Sequence, residues 1–257
     1  MGFHSYIRAV GTGPKSNREL TKNETIDAIE SILNQSVHSE QIAAFLLGWR
    51  VRLETVEELK TTLEVCNKYI KRVKIPNSIE LGYPFDGKAD NPYLLPLISK
   101  YLKKFDLNLV VSGDEIQPAK KGLTIKQLYQ NIEFDDNIFY FDRADYFKEL
   151  SNLTKIRNIL GLRTAFNTVE KLLNPGTSDY AVNAAFHKPY VSKYNQIFGN
   201  NYKNLIIVKG NEGTPEIFSK CKYWQTIDGK ITEYIIDPEY FGINYKKSMH
   251  IISPEES

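Results

Sequence analysis

The chain has 257 residues, with 42% hydrophobic and 25% charged residues, and 33 Lys and Arg stand against 31 Asp and Glu. That length supports one large or two modest domains, and a net charge of +2 excludes a uniformly basic nucleic-acid binder while leaving room for local basic clusters. No apolar run reaches the roughly 18 residues of a membrane span, and the first residues lack the apolar core of a signal peptide. The expectation is therefore a cytoplasmic protein without a membrane partner.

The turn-rich stretch Gly11-Thr-Gly-Pro-Lys-Ser-Asn17 reads as a flexible arm ahead of the first helix. That helix begins at Thr21, where Thr21 and Glu24 form a capping box, and Ile26, Ile29 and Leu33 share one face. A second helix starts near Ser39 and is apolar nearly all round, as suits the centre of a small bundle. A third opens with another capping box, Thr55 to Glu58, and carries Val56, Leu59, Leu63, Cys66 and Ile70 on one stripe. These three place a helical domain over residues 1–74.

The remaining residues, 75–257, read as an α/β domain. Strands are expected at 78–83, 107–111, 138–141 and 204–208. Asn91-Pro92 should cap a helix running to residue 104. Further helices are expected near 124–132, over 144–173 with a break at Gly161, and over 189–198. Two β segments flank the turn Asp228-Gly229 at 222–236. Alternating strands and helices imply a mostly parallel sheet flanked by helices, with its ligand site at the carboxyl ends of the strands.

Three loops occupy such strand ends. Gly82-Tyr-Pro-Phe-Asp-Gly-Lys-Ala-Asp-Asn91 lacks the free backbone N–H groups of a phosphate cradle, because Pro84 removes a donor and Tyr83 and Phe85 add bulk. Gly113-Asp-Glu-Ile-Gln-Pro-Ala-Lys-Lys121 sets two carboxylates where an anion would sit. Gly210-Asn-Glu-Gly-Thr-Pro-Glu216 carries scattered acids rather than the adjacent pair that would hold magnesium. His4, His38, His187 and His250 show no metal-ligand spacing, and His187 reads as the start of a helix rather than a base. Cys66 and Cys221 form no CxxC pair and read as small hydrophobes. Walker A, GxGxxG and GxSxG runs are absent.

The stretch Ile156-Arg-Asn-Ile-Leu-Gly-Leu-Arg-Thr-Ala-Phe-Asn167, with Leu172-Leu-Asn-Pro175, resembles a signature of anthranilate phosphoribosyltransferase, of glycosyltransferase family 3. So do Ile206-Ile-Val-Lys-Gly-Asn-Glu-Gly213, Ile236-Asp-Pro-Glu-Tyr-Phe-Gly242 and, in the helical domain, Gln41-Ile-Ala-Ala-Phe-Leu-Leu-Gly-Trp-Arg-Val-Arg52. The resemblance spans nearly the whole chain and implies the nucleoside phosphorylase/phosphoribosyltransferase type of fold. It also implies that Gly82-Tyr-Pro-Phe-Asp86 stands where the family has Gly-Thr-Gly-Gly-Asp, so that Gly82, Asp86, Gly87, Lys88 and Gly113 mark degenerate phosphate-loop positions. Val111-Ser-Gly-Asp-Glu115 replaces a basic Lys-His-Gly-Asn-Arg loop. Pro215-Glu216 replaces a metal-holding Asp-Glu pair, which leaves Glu216 if any ligand. Glu170-Lys171 replaces a Gly-Pro that shapes the anthranilate pocket, whereas Arg157, which would meet the anthranilate carboxylate, and Arg163 are kept. By the same resemblance, the family's last helical segment is not expected within the residues after Gly242.

These departures imply no catalytic residue and no cofactor, with magnesium only if the chain is enzymatic. The arm and the altered loops resemble the non-biosynthetic, YbiB-like branch, whose members form dimers through the helical domain and bind nucleic acid without marked sequence preference. The expectation is a homodimer binding nucleic acid, single-stranded or nonspecific DNA, through Lys15, Arg18, Arg157, Arg163 and Lys171 in a groove between the domains. The alternative is a pentosyltransferase with an altered substrate.

Overall fold

The computed structural model describes residues 2–185 and 188–244. The readings made for His187 and His250 lie outside the described residues. The helical part holds α1 (His4–Gly11), α2 (Lys22–Leu33), α3 (Ser39–Arg52) and α4 (Val56–Cys66). Both expected capping boxes form: the Thr21 hydroxyl accepts from the Glu24 N–H while Glu24 accepts from the Thr21 N–H, and Thr55 and Glu58 do the same. The first helix, α1, is an addition to the sequence reading. It buries Tyr6, Ala9 and Val10, and Gly11 ends it rather than opening the arm.

The arm is tied down at two points. Arg18 N–H donates to the Ala9 carbonyl at 2.8 Å, and Leu20 N–H donates to Glu58 Oε1 at 2.9 Å. Glu58 also accepts from Trp49 Nε1 at 3.0 Å and pairs with Arg52. Its carboxyl, which burial alone would raise, is held below the usual range by these donors. After α4 stops at Cys66, before the expected Ile70, the chain runs extended. Lys71 donates to Tyr146 and Val73 to Pro175.

The second part contains β1 (Ser78–Gly82), α5 (Leu95–Leu102), β2 (Asn108–Gly113), α6 (Ile125–Asn131) and β3 (Ile138–Asp142). Four short helices follow, α7 (Arg143–Tyr146), α8 (Lys148–Ser151), α9 (Thr154–Leu160) and α10 (Phe166–Val169). Then come β4 (Tyr180–Ala184), α11 (Lys188–Phe198), β5 (Asn204–Val208), β6 (Cys221–Ile227) and β7 (Lys230–Ile236). The sheet order is β3-β2-β1-β4-β5-β6-β7. Pairing is parallel from β3 through β5 and antiparallel across β5, β6 and β7. The β6–β7 hairpin turns on Asp228 and Gly229, both at positive φ, as a two-residue hairpin with a right-handed twist requires.

One sheet face packs Leu81, Leu109 and Val111 under Ile125 and Leu128. The opposite face packs Ala181, Leu205 and Ile207 into a cluster that continues through Phe166 and Val169 to Phe45, Trp49 and Cys66 of the helical part. Two sequence expectations need correction. The helix at 91–104 starts only at Leu95, because Asn91 spends its side chain on Glu212. The long helix at 144–173 is four short pieces, one of them ended by Gly161 in the left-handed region.

Glu80 lies on β1 and is 1% exposed. Tyr202 donates its hydroxyl to one carboxyl oxygen, and the Asn174 N–H donates to the other at 3.0 Å. Burial outweighs these donors and nearby Arg72, and pushes the carboxyl up to about 7 from 4.5. A raised acid favours the folded state fully below pH 4.5, and that contribution fades as pH rises through 7. Glu80→Gln should therefore gain about 3 kcal/mol on the wild type between pH 5 and 8. Parallel denaturation curves for the two proteins across that range would disprove the assignment.

Candidate functional site

The carboxyl ends of β1, β2 and β4 converge with the turn after β5. Gly82 ends β1 so close to β4 that an added Cβ would meet Asn183 Oδ1 at 2.6 Å. Beyond it, Tyr83 turns inward and donates its hydroxyl to Glu216 Oε1 at 2.9 Å. Gly87, at φ +77°, crosses the backbone of Gly122 so tightly that a Cβ would lie 2.4 Å from its carbonyl oxygen. This crossing fixes Lys88, whose backbone exchanges hydrogen bonds with Leu123 at 2.9 and 2.7 Å.

Lys88 points its ammonium inward to the Glu216 carboxylate, and both side chains are at most 1% exposed. The Pro92 carbonyl accepts a second bond from it at 2.6 Å. Burial pushes this lysine down, with Glu216 opposing. Glu216 accepts further from the Leu94 N–H at 2.7 Å. Its oxygens therefore face a lysine, a phenol and an amide. Magnesium calls for several oxygen ligands and retained waters in an octahedron; with Pro215 beside Glu216 and an ammonium against its carboxylate, these residues do not fit that ion. Among the described residues no cluster of three acidic, His or Cys side chains could hold a metal.

The neighbouring loop is likewise closed by an internal anion. Glu212, at φ +51°, accepts from the Ala89 N–H at 2.6 Å, the Asp90 N–H at 3.2 Å and Asn91 Nδ2 at 3.0 Å. Lys120 Nζ lies 3.9 Å from the same carboxylate. Converging backbone N–H groups of this kind make an anion-binding concavity, and here the chain supplies the anion itself.

Behind Gly113 lies a buried ionic quartet. Arg143 donates Nε to Asp114 at 2.6 Å and pairs through Nη1 with Glu170. Arg157 grips the same Glu170 with both Nη atoms, at 2.7 and 2.9 Å. Each of the four side chains is at most 1% exposed, and the Phe85 ring stacks 4.4 Å from the Arg143 guanidinium. Burial would raise the Glu170 carboxyl, yet Arg157 and Arg143 hold it below the usual carboxylate range. Two cations and two anions cancel, so the charge reversal at Asp114 is compensated inside the protein.

In front of these groups, between the helical part and the sheet, lies a cleft of about 240 Å³. Arg50, Asp86, Arg163, Thr164, Asn167, Thr168, Lys171, Tyr190, Tyr194 and Glu212 line it. Arg163, its side chain 48% exposed, pairs with the buried Asp86. Lys171 Nζ donates to the carbonyls of Ala184 and Gly213, both at 3.0 Å.

Two of the five cations assigned to nucleic acid are thus corrected. Arg157 has no exposed surface, and Lys171 is buried on backbone carbonyls, so neither reaches a polyanion outside. Lys15 is exposed, Arg18 is half-exposed while it chelates Glu24, and Arg163 stands at the cleft mouth. Arg143, Asn183, Tyr190 and Tyr194 went unnoticed in the sequence. Arg143 had one usable signal: it directly follows a strand, at the end of the sheet where ligand sites form.

Residues 4–66 match the helical bundle domain of a glycosyl transferase family, and residues 119–257 match its α/β domain. The chain belongs to glycosyl transferase family 3. An uncharacterized protein of Aquifex aeolicus is 30% identical over 242 residues, covering 91% of this chain and 76% of its own length. Anthranilate phosphoribosyltransferase of Neisseria meningitidis is 28% identical over 255 residues, covering 91% of this chain and 72% of the enzyme. Among solved structures, the Thermus thermophilus anthranilate phosphoribosyltransferase superposes with a TM-score of 0.73 at 13% identity, covering 99% of this chain and 79% of the enzyme. The Saccharomyces cerevisiae enzyme in complex with PRPP and Mg gives 0.72 at 15% identity, covering 95% and 75%. These structural likenesses carry the fold. Among the described residues, no helix is long and apolar enough to cross a membrane.

Proposed function

We propose that this family 3 protein does not transfer phosphoribosyl groups to anthranilate, and that it binds nucleic acid as a homodimer without marked sequence preference. The observation that carries the first half is the Lys88 ammonium seated on Glu216, an internal cation at the carboxylate that remains of the metal pair. Glu170 on Arg157 supports it, because a protein carboxylate occupies the guanidinium that would meet the substrate's. Incubated with phosphoribosyl pyrophosphate, magnesium and anthranilate, the purified protein should yield no phosphoribosyl anthranilate.

The second half rests on Lys15, Arg18 and Arg163, six cations in a dimer. Leu47, Val51 and Leu53 are exposed on or just after α3, Val51 by 72%, an apolar surface that a second copy would cover. Val51→Glu should then give monomers in light scattering. Contacts confined to phosphates leave affinity insensitive to sequence. If about six phosphates are neutralised on single-stranded DNA, log affinity should fall with log salt at a slope near −4. Lys15→Gln with Arg18→Gln should flatten that slope equally for all sequences. Absence of retention at low salt would end this reading. The open cleft favours a second one, a pentosyltransferase acting on another substrate, which binding of phosphoribosyl pyrophosphate would select.

A further inference from the structure

Glu170 and Lys171 are adjacent but turn to opposite sides. Glu170 enters the ionic quartet, whereas Lys171 reaches the cleft floor, held by the end of β4 and the turn at 211–213 through Ala184 and Gly213. Among the described residues no carboxylate stands within ion-pairing distance of its Nζ, and the Tyr194 ring centroid is 5.6 Å away, near the outer limit of a cation–π contact. An ammonium has three N–H donors; a neutral amine has two and a lone pair. Two carbonyl acceptors match the neutral amine and leave one position of Nζ without a polar partner.

Electrostatics favour the same form. Burial pushes Lys171 down to about 7, with Asp86 opposing and Arg163 and Lys120 adding to the effect. Across the cleft, Asp86 occupies Nε and Nη2 of Arg163, and among the described residues Nη1 has no partner, so it can meet an anion. Thr164 and Thr168 line the same space between Tyr190 and Tyr194.

We propose that Lys171 is a carbonyl-capturing amine, condensing with an aldehyde or ketone whose carboxylate or phosphate is held by Arg163. The Nζ lone pair forms the C–N bond, both amine protons go to the carbonyl oxygen, and that oxygen leaves as water. An imine remains, with no oxidant or reductant involved. This activity shares only Arg163 with the proposed nucleic-acid binding, whose other cations, Lys15 and Arg18, lie on the arm; loss of capture with Lys171→Arg and loss of binding with the arm variants therefore remain distinguishable.

The full chain would be incubated at pH 7 with glyoxylate or, in a parallel arm, glycolaldehyde phosphate. Cyanoborohydride then traps the imine, and peptide mapping locates it. Lys171 should be modified about a hundredfold faster than an ordinary exposed lysine, since a far larger share of it is neutral at that pH. Its modification should level off above about pH 7, whereas that of exposed lysines keeps rising toward pH 10. The faster arm identifies the preferred anion. Arg163→Gln should slow glyoxylate capture about tenfold more than it slows capture of neutral glycolaldehyde, because only the former loses a charge-assisted bond; the slowing common to both reports the loss of Arg163's push on Lys171. Lys171→Arg should abolish the specific adduct; should that variant misfold, the wild-type map alone decides. Adducts spread over the exposed lysines without excess on Lys171 would overturn the proposal, as would capture indifferent to Arg163.

Discussion

Glu170→Ala is expected to destabilise the protein by about 3–5 kcal/mol, the cost of removing one partner from a buried ion pair. In a chain of this size that corresponds to a melting temperature lower by about 10 °C. The carboxylate holds Arg157 through two bonds and also pairs with Arg143. Without it, Arg157 keeps no carboxylate and Arg143 keeps only Asp114. Two guanidiniums, neither with any exposed surface, would then share one negative charge. Glu170→Gln preserves the shape and one acceptor but not the charge, and should fall between alanine and wild type. The same network changes what Arg157→Glu would report. That substitution would put three acids against Arg143 in a closed interior, so loss of DNA binding by it would signal unfolding rather than a lost phosphate contact. Calorimetry that places Glu170→Ala within about 2 °C of wild type would show that the quartet contributes little.

What the sequence disclosed and what it hid have separable physical causes. Capping boxes at Thr21 and Thr55 were legible because they are contacts across three residues. The strands β2, β3 and β5 were legible because buried parallel strands are nearly continuous apolar runs, whereas β1 offered only Ile79 and Leu81 on either side of Glu80. The strand β4 was missed although it lies at the centre of the sheet. Tyr-Ala-Val-Asn-Ala offers little β-propensity, and its place is set by pairing with β1 and β5. The loss of the phosphate loop was readable in Tyr83, Pro84 and Phe85. What fills the site was not, since Lys88 and Glu216 are far apart in the chain and meet only through the crossing of Gly87 with Gly122. Asp114 and Arg143 lie between these extremes. Gly113 and Asp142 are register partners on adjacent parallel strands, so the two residues that follow them had to be neighbours. The assignment of Arg157 and Lys171 as phosphate contacts in a groove between the domains failed for another reason: a family signature carries side-chain identity but not which internal partner a changed neighbour supplies.

The Lys88–Glu216 pair should show the strongest coupling in the molecule. Lys88→Met leaves the Glu216 carboxylate buried with only the Tyr83 hydroxyl, the Leu94 N–H and a distant Thr214 hydroxyl, none of which carries a charge. A loss of about 3–5 kcal/mol is expected. Glu216→Gln alone should cost a similar amount, because the ammonium then faces the Pro92 carbonyl and the rings of Tyr93 and Phe218. The double variant removes both charges and keeps the volume, so it should recover most of the loss. Chemical denaturation of all four proteins completes the cycle, and a coupling of several kcal/mol is expected for side chains in direct contact. The chemistry follows from the same numbers. A coupling that large means a divalent cation could reach Glu216 only by displacing a cation the fold already holds, at a cost the remaining single carboxylate does not offset. A coupling below about 1 kcal/mol would make the pair as loose as a surface ion pair, and would remove the observation on which the proposed absence of phosphoribosyl transfer rests.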